Sequence, residues 1–189
     1  VTILVSQAVE ELLSARAREK MRHLDTVYVK GSNVAQRIYT YDCRHEGVDF
    51  FLFDKSPEQE DLDAEAYTAA VWDTDQDLRA MRQHATDEFR EKFHKGVGQY
   101  LEGDWKSAIR TLNDADNIMF ETVLEEGFVD YITEDVGEYG KASSTSKEEL
   151  ARLKEEFGDG ACKCLIQFMK RRDGNPPPDW DGVRHLMSK

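Results

Sequence analysis

Few residues in this chain have the types and spacings that do chemistry. Lys30 closes the apolar run Val27-Tyr28-Val29 and is followed by Gly31. A lysine at the mouth of a strand is a mobile point charge suited to phosphate, and it is equally an ordinary solvated strand end. Cys162-Lys163-Cys164 brings two soft ligands close together, but no second Cys/His pair completes a zinc site. With Cys43 the cysteines number three, and they read as reduced, structural thiols of a cytosolic setting. Asp73-Thr74-Asp75-Gln76-Asp77 opens like a calcium loop. It fails as one, because Leu78 stands where the sharp turn needs Gly and His84 where the loop needs a bidentate Glu. A helix start rich in N-terminal acids accounts for the run instead.

The composition narrows the partners. Among 189 residues, 25 Lys and Arg face 38 Asp and Glu, a formal net charge of −13. That field repels phosphate backbones and anionic lipid, so nucleic acid is not an expected partner. Apolar residues make up 40% and aromatics 10% of the chain, enough for a real core. No apolar run approaches the roughly 20 residues that a spanning helix needs. The chain opens on Val1, Ile3, Leu4 and Val5, a buried-strand pattern at the first residue, and is expected to be cut from something longer.

The elements that must position these residues follow from periodicity. Val1 to Val5 predicts a strand, and Ser6 an N-cap for a helix running to about Arg18 and ending in the basic stretch Arg16 to Arg22. Leu24 to Lys30 and Arg37 to Asp42 predict two further strands around the turn residues Gly31-Ser32-Asn33. The front is therefore β-α-β-β over residues 1–45. Residues 46–70 are acid-rich and predict a linker, pinned by Phe50, Phe51 and Phe53.

From Val71 the pattern is helical, and residues 71–189 predict an all-helical tail. Phe89, Phe93, Val97, Tyr100 and Leu101 share one helical face. Gly103-Asp104 breaks it, and Trp105, Ala108, Ile109, Leu112 and Ala115 line the next helix. This pair, about 87–119, has the spacing of a tetratricopeptide hairpin, with no second copy at the repeat period. Lys141 to Thr145 predicts a loop, and Ser146 with Glu149 a capping box for a helix to about Phe157. Gly158-Asp159-Gly160 stops that helix, and Ala161 to Arg172 gives another. Pro176-Pro177-Pro178 enforces extended chain, and Trp180 and Leu186 are expected to dock residues 176–189 onto the helices.

Three segments taken in order carry a resemblance: Ile3-Leu4-Val5-Ser6, then Leu24-Asp25-Thr26-Val27-Tyr28-Val29-Lys30-Gly31, then Ile38-Tyr39-Thr40-Tyr41-Asp42. Together they resemble the C-terminal end of class III adenylate and guanylate cyclase domains. Three later segments resemble the helical cytosolic tail that follows such domains in microbial and protist cyclases. They are Asp75-Gln76-Asp77-Leu78 with Met81-Arg82, Tyr100-Leu101 with Gly103-Asp104-Trp105 and Ala108, and Pro177-Pro178-Asp179-Trp180-Asp181-Gly182-Val183-Arg184 with Leu186. Asp159-Gly160 keeps the tail's turn, although Ala161-Cys162 replaces its usual Pro-Ser.

The resemblance implies an α+β fold: the closing piece of a ferredoxin-like cyclase domain, then the helical tail as a packing or regulatory module. It implies that the metal-binding aspartates, the base-selecting residues and the transition-state Asn/Arg pair precede this segment. The segment alone is thus expected to be no enzyme and to bind no cofactor, while magnesium or manganese serves the parent. Lys30 matches the family lysine that contacts the substrate triphosphate. The implied partners are the remainder of the parent domain, a second copy through that domain, and a protein on the helical tail. The implied location is cytoplasmic, or the cytosolic side of a membrane-anchored parent. Two rivals stand beside this reading: an interaction protein with a degenerate cyclase domain, and a tetratricopeptide-type adaptor with a chance hairpin of strands.

Overall fold

A computed structural model of the chain describes residues 3–29, 31, 33–44, 68–125 and 147–186. It is a mixed α+β fold with one four-stranded sheet. β1 is Val5–Ser6, β2 Met21–Tyr28 and β3 Gln36–Tyr41. β3 lies antiparallel to both, between β1 and β2, with Val5 opposite Tyr39 and Arg22 opposite Thr40. The register slips between His23 and Asp25. Such an irregularity turns consecutive side chains to one side, and Leu24 and Asp25 are both buried.

The single helix expected from Ser6 to Arg18 is instead two short ones, α1 (Gln7–Glu10) and α2 (Ala15–Glu19). Local capping explains the break. The Ser14 hydroxyl accepts from the Ala17 amide and starts the second helix. Arg18 then reaches back to the carbonyls of Glu10, Glu11 and Leu13, at 3.3, 2.7 and 3.3 Å. Val9 and Leu12 are exposed. The basic stretch does close a helix, with Arg16 and Arg18 in the last turn of α2, but β2 begins at Met21 and takes Arg22 into the sheet.

The helical layer begins with α3 (Val71–Thr74) and α4 (Gln76–Arg82). The acidic run serves as capping: Asp75 accepts from the Leu78 amide at 2.9 Å. Asp73 lies 2.5 Å from Lys20 and 3.0 Å from Arg16. α5 (Asp87–Leu101), capped by Thr86, and α6 (Trp105–Glu125) form the expected hairpin. Gly103 turns it with φ of 88°. At Gly96 a Cβ would stand 2.7 Å from the Leu112 side chain, so glycine lets the two helices approach this closely. α7 (Lys147–Phe157) and α8 (Gly160–Lys170) complete the layer, and Asp159 caps α8 by accepting from the Cys162 amide at 2.7 Å.

The tail is not all-helical. After α8 the chain runs through Pro176–Pro178 and ends in β4 (Arg184–His185), which pairs parallel with β2 at Val27 and Tyr28. Trp180 joins the helical core as expected. Leu186 does not: its side chain is 45% exposed, and its amide donates to the Tyr28 carbonyl. It is fastened to the sheet, not to the helices.

One core unites both layers. Leu24 of β2 belongs to the same buried cluster as Phe89, Phe93, Tyr100, Trp105, Leu112 and Leu165. Helices therefore cover part of one sheet face, whereas Ile3 and Leu4 before β1, Val29 after β2 and Val34 before β3 stay exposed. Lys30, the bulk of the 46–70 linker, the 141–145 loop and Ser146 lie outside the described residues. Among those described, no helix is long and apolar enough to cross a membrane.

Candidate functional site

The densest chemistry in the molecule is a junction of charges where β2, β3 and the start of α8 meet. Alternation along β2 turns Arg22 inward, where its side chain is 2% exposed. A cation so deep in apolar surroundings costs several kcal/mol unless paired on its own hydrogen-bonding fork. Two aspartates supply the pairing. Arg22 Nη2 lies 2.6 Å from Asp42 Oδ1, with Nε 2.9 Å from Asp42 Oδ2. On the other side Nη1 and Nη2 lie 3.2 and 2.9 Å from the two Asp159 oxygens. Phe89 and Phe93 of α5 present their rings at 4.9 and 4.2 Å from the guanidinium carbon.

Next to this pair of forks, Asp116 of α6 accepts from the Asp159 amide at 2.7 Å. The α5–α6 hairpin, the α7–α8 turn and the sheet thus share one polar network. Burial alone would lower the Arg22 pKa, but Asp159 and Asp42 outweigh it and hold the guanidinium charged. Burial would raise the Asp159 carboxyl, and the Arg22 charge beside it brings it below the usual range. Asp116 is raised, chiefly by burial. His84 stands at the edge of the network, 8% exposed. Burial, with Arg44 next, pushes its pKa down to about 4, so its ring is neutral.

A polar cavity of about 350 Å³ opens onto the junction, with Arg22, Asp42, Arg44, His84, Asp159 and Lys163 in its wall. Lys163 Nζ is spent on the carbonyls of Lys154 and Glu155 at the end of α7. Both oxygens of Asp42 and of Asp159 are spent on Arg22. The junction is built to hold elements together, since its charges are matched to one another.

A second junction ties the end of the chain to β2. Arg184 Nη2 lies 2.6 Å from Asp25 Oδ2, whose side chain is 5% exposed. Burial raises the Asp25 pKa despite that cation. Beneath it runs an apolar cleft of about 350 Å³, bounded by Leu4, Leu24, Val27, Ile38, Leu165 and Leu186.

Sequence reasoning singled out neither Arg22 nor Asp116, and treated Asp25, Asp42, Asp159 and Arg184 only as letters of a resemblance. Arg22 gave no signal, because a basic stretch reads as a solvated helix end. Asp159 did give a local signal, since Asp-Gly at a helix start reads as an N-cap, whereas Asp25, Asp42 and Asp116 gave none. Of the two cysteines once weighed as ligands, Cys162 is buried, with its thiol pKa pushed up by burial and by Asp159, and Cys164 is exposed. Among the described residues no group of three or more His, Cys, Asp or Glu is placed to hold a metal.

The chain matches no protein-family model, no curated protein and no solved structure.

Proposed function

We propose that this chain is the C-terminal portion of a class III nucleotide cyclase homologue, making cyclic AMP or cyclic GMP in intracellular signalling. The front belongs to a ferredoxin-like catalytic domain. The tail, with its tetratricopeptide-like hairpin, is its packing or regulatory module.

One observation carries the reading. The segments of the front and tail that resemble cyclases are bonded to each other across the molecule. Asp42, last residue of the Ile-Tyr-Thr-Tyr-Asp strand, shares Arg22 with Asp159 of the Asp-Gly turn. Asp25, of Leu-Asp-Thr-Val, pairs with Arg184 of Asp-Gly-Val-Arg. Trp180 donates to the carbonyls of Tyr100 and Leu101, in the Tyr-Leu-Glu-Gly-Asp-Trp segment. These bonds tie together four of the six segments and the Asp-Gly turn, which supports reading them as parts of one structural unit.

The open end of the sheet supports the same reading. Leu4, Val29 and Leu186 are exposed around the apolar cleft, and the remainder of the parent domain would cover them. The described residues do not fit the magnesium or manganese that such a parent uses, because buried Asp42 and Asp159 are committed to Arg22 and Asp25 to Arg184, and no three of their carboxylates or histidines converge. The metal ligands would come from the parent, and Lys30 would contribute a triphosphate contact.

The test is the coding sequence upstream of Val1, expressed together with this chain and assayed for cyclic nucleotide. Two aspartates at metal spacing, an Asn/Arg pair and metal-dependent turnover are expected. An upstream sequence of cyclase type that lacks those residues would place the protein among non-catalytic scaffolds. One of unrelated type would sink the reading.

A further inference from the structure

Residues 175–186 cross from the end of α8 to the edge of the sheet, and the fastenings lie at both ends of the crossing. At the helical end, the Trp180 ring stands against Tyr100, Trp105 and Phe168, with centroids 5.3, 5.1 and 6.3 Å away. Its Nε1 donates to the carbonyls of Tyr100 and Leu101, both at 3.2 Å. Those carbonyls end α5, and that of Tyr100 accepts as well from the Gly103 amide and from Trp105 Nε1. Gly182, with φ of 83°, lies so close that a Cβ there would stand 2.9 Å from the Leu101 carbonyl oxygen.

At the sheet end, Arg184 pairs with buried Asp25 and lies over the Phe168 ring at 5.2 Å. His185 packs on Tyr28 with ring centroids 4.8 Å apart, and the Leu186 amide donates to the Tyr28 carbonyl. β4 itself has two residues. So short an edge strand cannot order itself by pairing alone. Its place on β2 comes from the plug on one side and the ion pair on the other, and Asp25 loses its cation whenever the segment lifts.

We propose that residues 175–186 are a clasp that couples the turn of the α5–α6 hairpin to the end of β2, so that the ordering of β2 is set from the helical layer. Anything that engages the hairpin turn and displaces Trp180 loosens Val27 and Tyr28, the strand end that leads to residue 30. The clasp depends on no assumption about catalysis, and a chain with no cyclase parent would have it all the same.

Amide hydrogen exchange on the full chain tests this, comparing wild type with Trp180→Phe, Arg184→Ala and Arg184→Lys. Trp180→Phe keeps an aromatic ring in the plug while removing the donor to the hairpin and the volume of the second ring. Exchange of the amides in residues 24–29 should rise about tenfold in Trp180→Phe and in Arg184→Ala, and less in Arg184→Lys, while α6 stays protected. Unchanged exchange of 24–29 in Trp180→Phe would overturn the coupling. So would an equal loss of protection along α6, which would make the segment a general contributor to stability. If Arg184→Ala does not fold, Trp180→Phe and Arg184→Lys decide alone.

Discussion

Arg22 Nη2 lies 2.9 Å from Asp159 Oδ2, a hydrogen bond between residues 137 apart in sequence. It fixes the start of β2 to the cap of α8, and Asp42 shares the same guanidinium. Removing the cation leaves two buried carboxylates facing each other. Arg22→Met should therefore cost about 3–5 kcal/mol by denaturant unfolding, far more than the loss of a surface pair. Arg22→Lys should be only a partial rescue, because an ammonium cannot serve two forks. A loss below about 1 kcal/mol in Arg22→Met would mean that the junction is hydrated and not structural.

Acid should weaken the fold through its buried histidines. His84 stays neutral in the native chain down to about pH 4, against an ordinary 6.5. Between those values the unfolded chain binds a proton that the native one excludes, so stability present above pH 6.5 is lost as pH falls toward 4. The gap corresponds to about 3 kcal/mol in full. His23 and His94 are lowered as well and add to the same slope. Asp25 and Asp116, raised from their ordinary 3.8 mainly by burial, act in the opposite sense above that value and offset part of the slope. Unfolding free energies of wild type and His84→Gln across this range should converge as pH falls. Parallel curves would show that His84 titrates normally.

Trp105 is the largest fully buried side chain of the hairpin, 1% exposed, and its Nε1 donates to the Tyr100 carbonyl at 3.1 Å. Trp105→Ala should cost about 3–5 kcal/mol in denaturant unfolding. A cost well under 1 kcal/mol would show that the aromatic cluster with Tyr100, Phe168 and Trp180 re-forms without it.

Two glycines of α5 should answer alanine in opposite directions. At Gly96 the added methyl meets Leu112, which is fully buried, and overpacking should cost about 1–3 kcal/mol. At Gly98 nothing lies within 4 Å, and the gain in helix propensity should stabilise by up to about 1 kcal/mol. Thermal unfolding of the two variants separates the cases, and equal shifts would contradict the close approach of α5 and α6.

The contrast between these residues shows what the sequence could reveal. The hairpin was legible because Phe89, Phe93, Val97 and Tyr100 repeat with helical period, and Trp105 and Ala108 continue it after the glycine turn. The strand pair 24–42 was legible from alternation and turn residues. The break between α1 and α2 was not, because Ser14 acts through a cap that competes with an otherwise helical pattern. β4 was hidden for a different reason: two residues carry no periodicity, and only the long-range pairing with Val27 and Tyr28 makes them a strand. Arg22 was read as solvated because its two aspartates are 20 and 137 positions away. Local pattern cannot reveal a pairing of that range.

The most direct measurement is cyclic-nucleotide formation by the purified 189-residue chain, run beside the same chain with its upstream coding sequence, each with ATP or GTP and magnesium or manganese. The longer protein should turn over nucleotide and the chain alone should not, since its buried carboxylates are held by Arg22 and Arg184. Metal-dependent turnover by the chain alone would contradict the account.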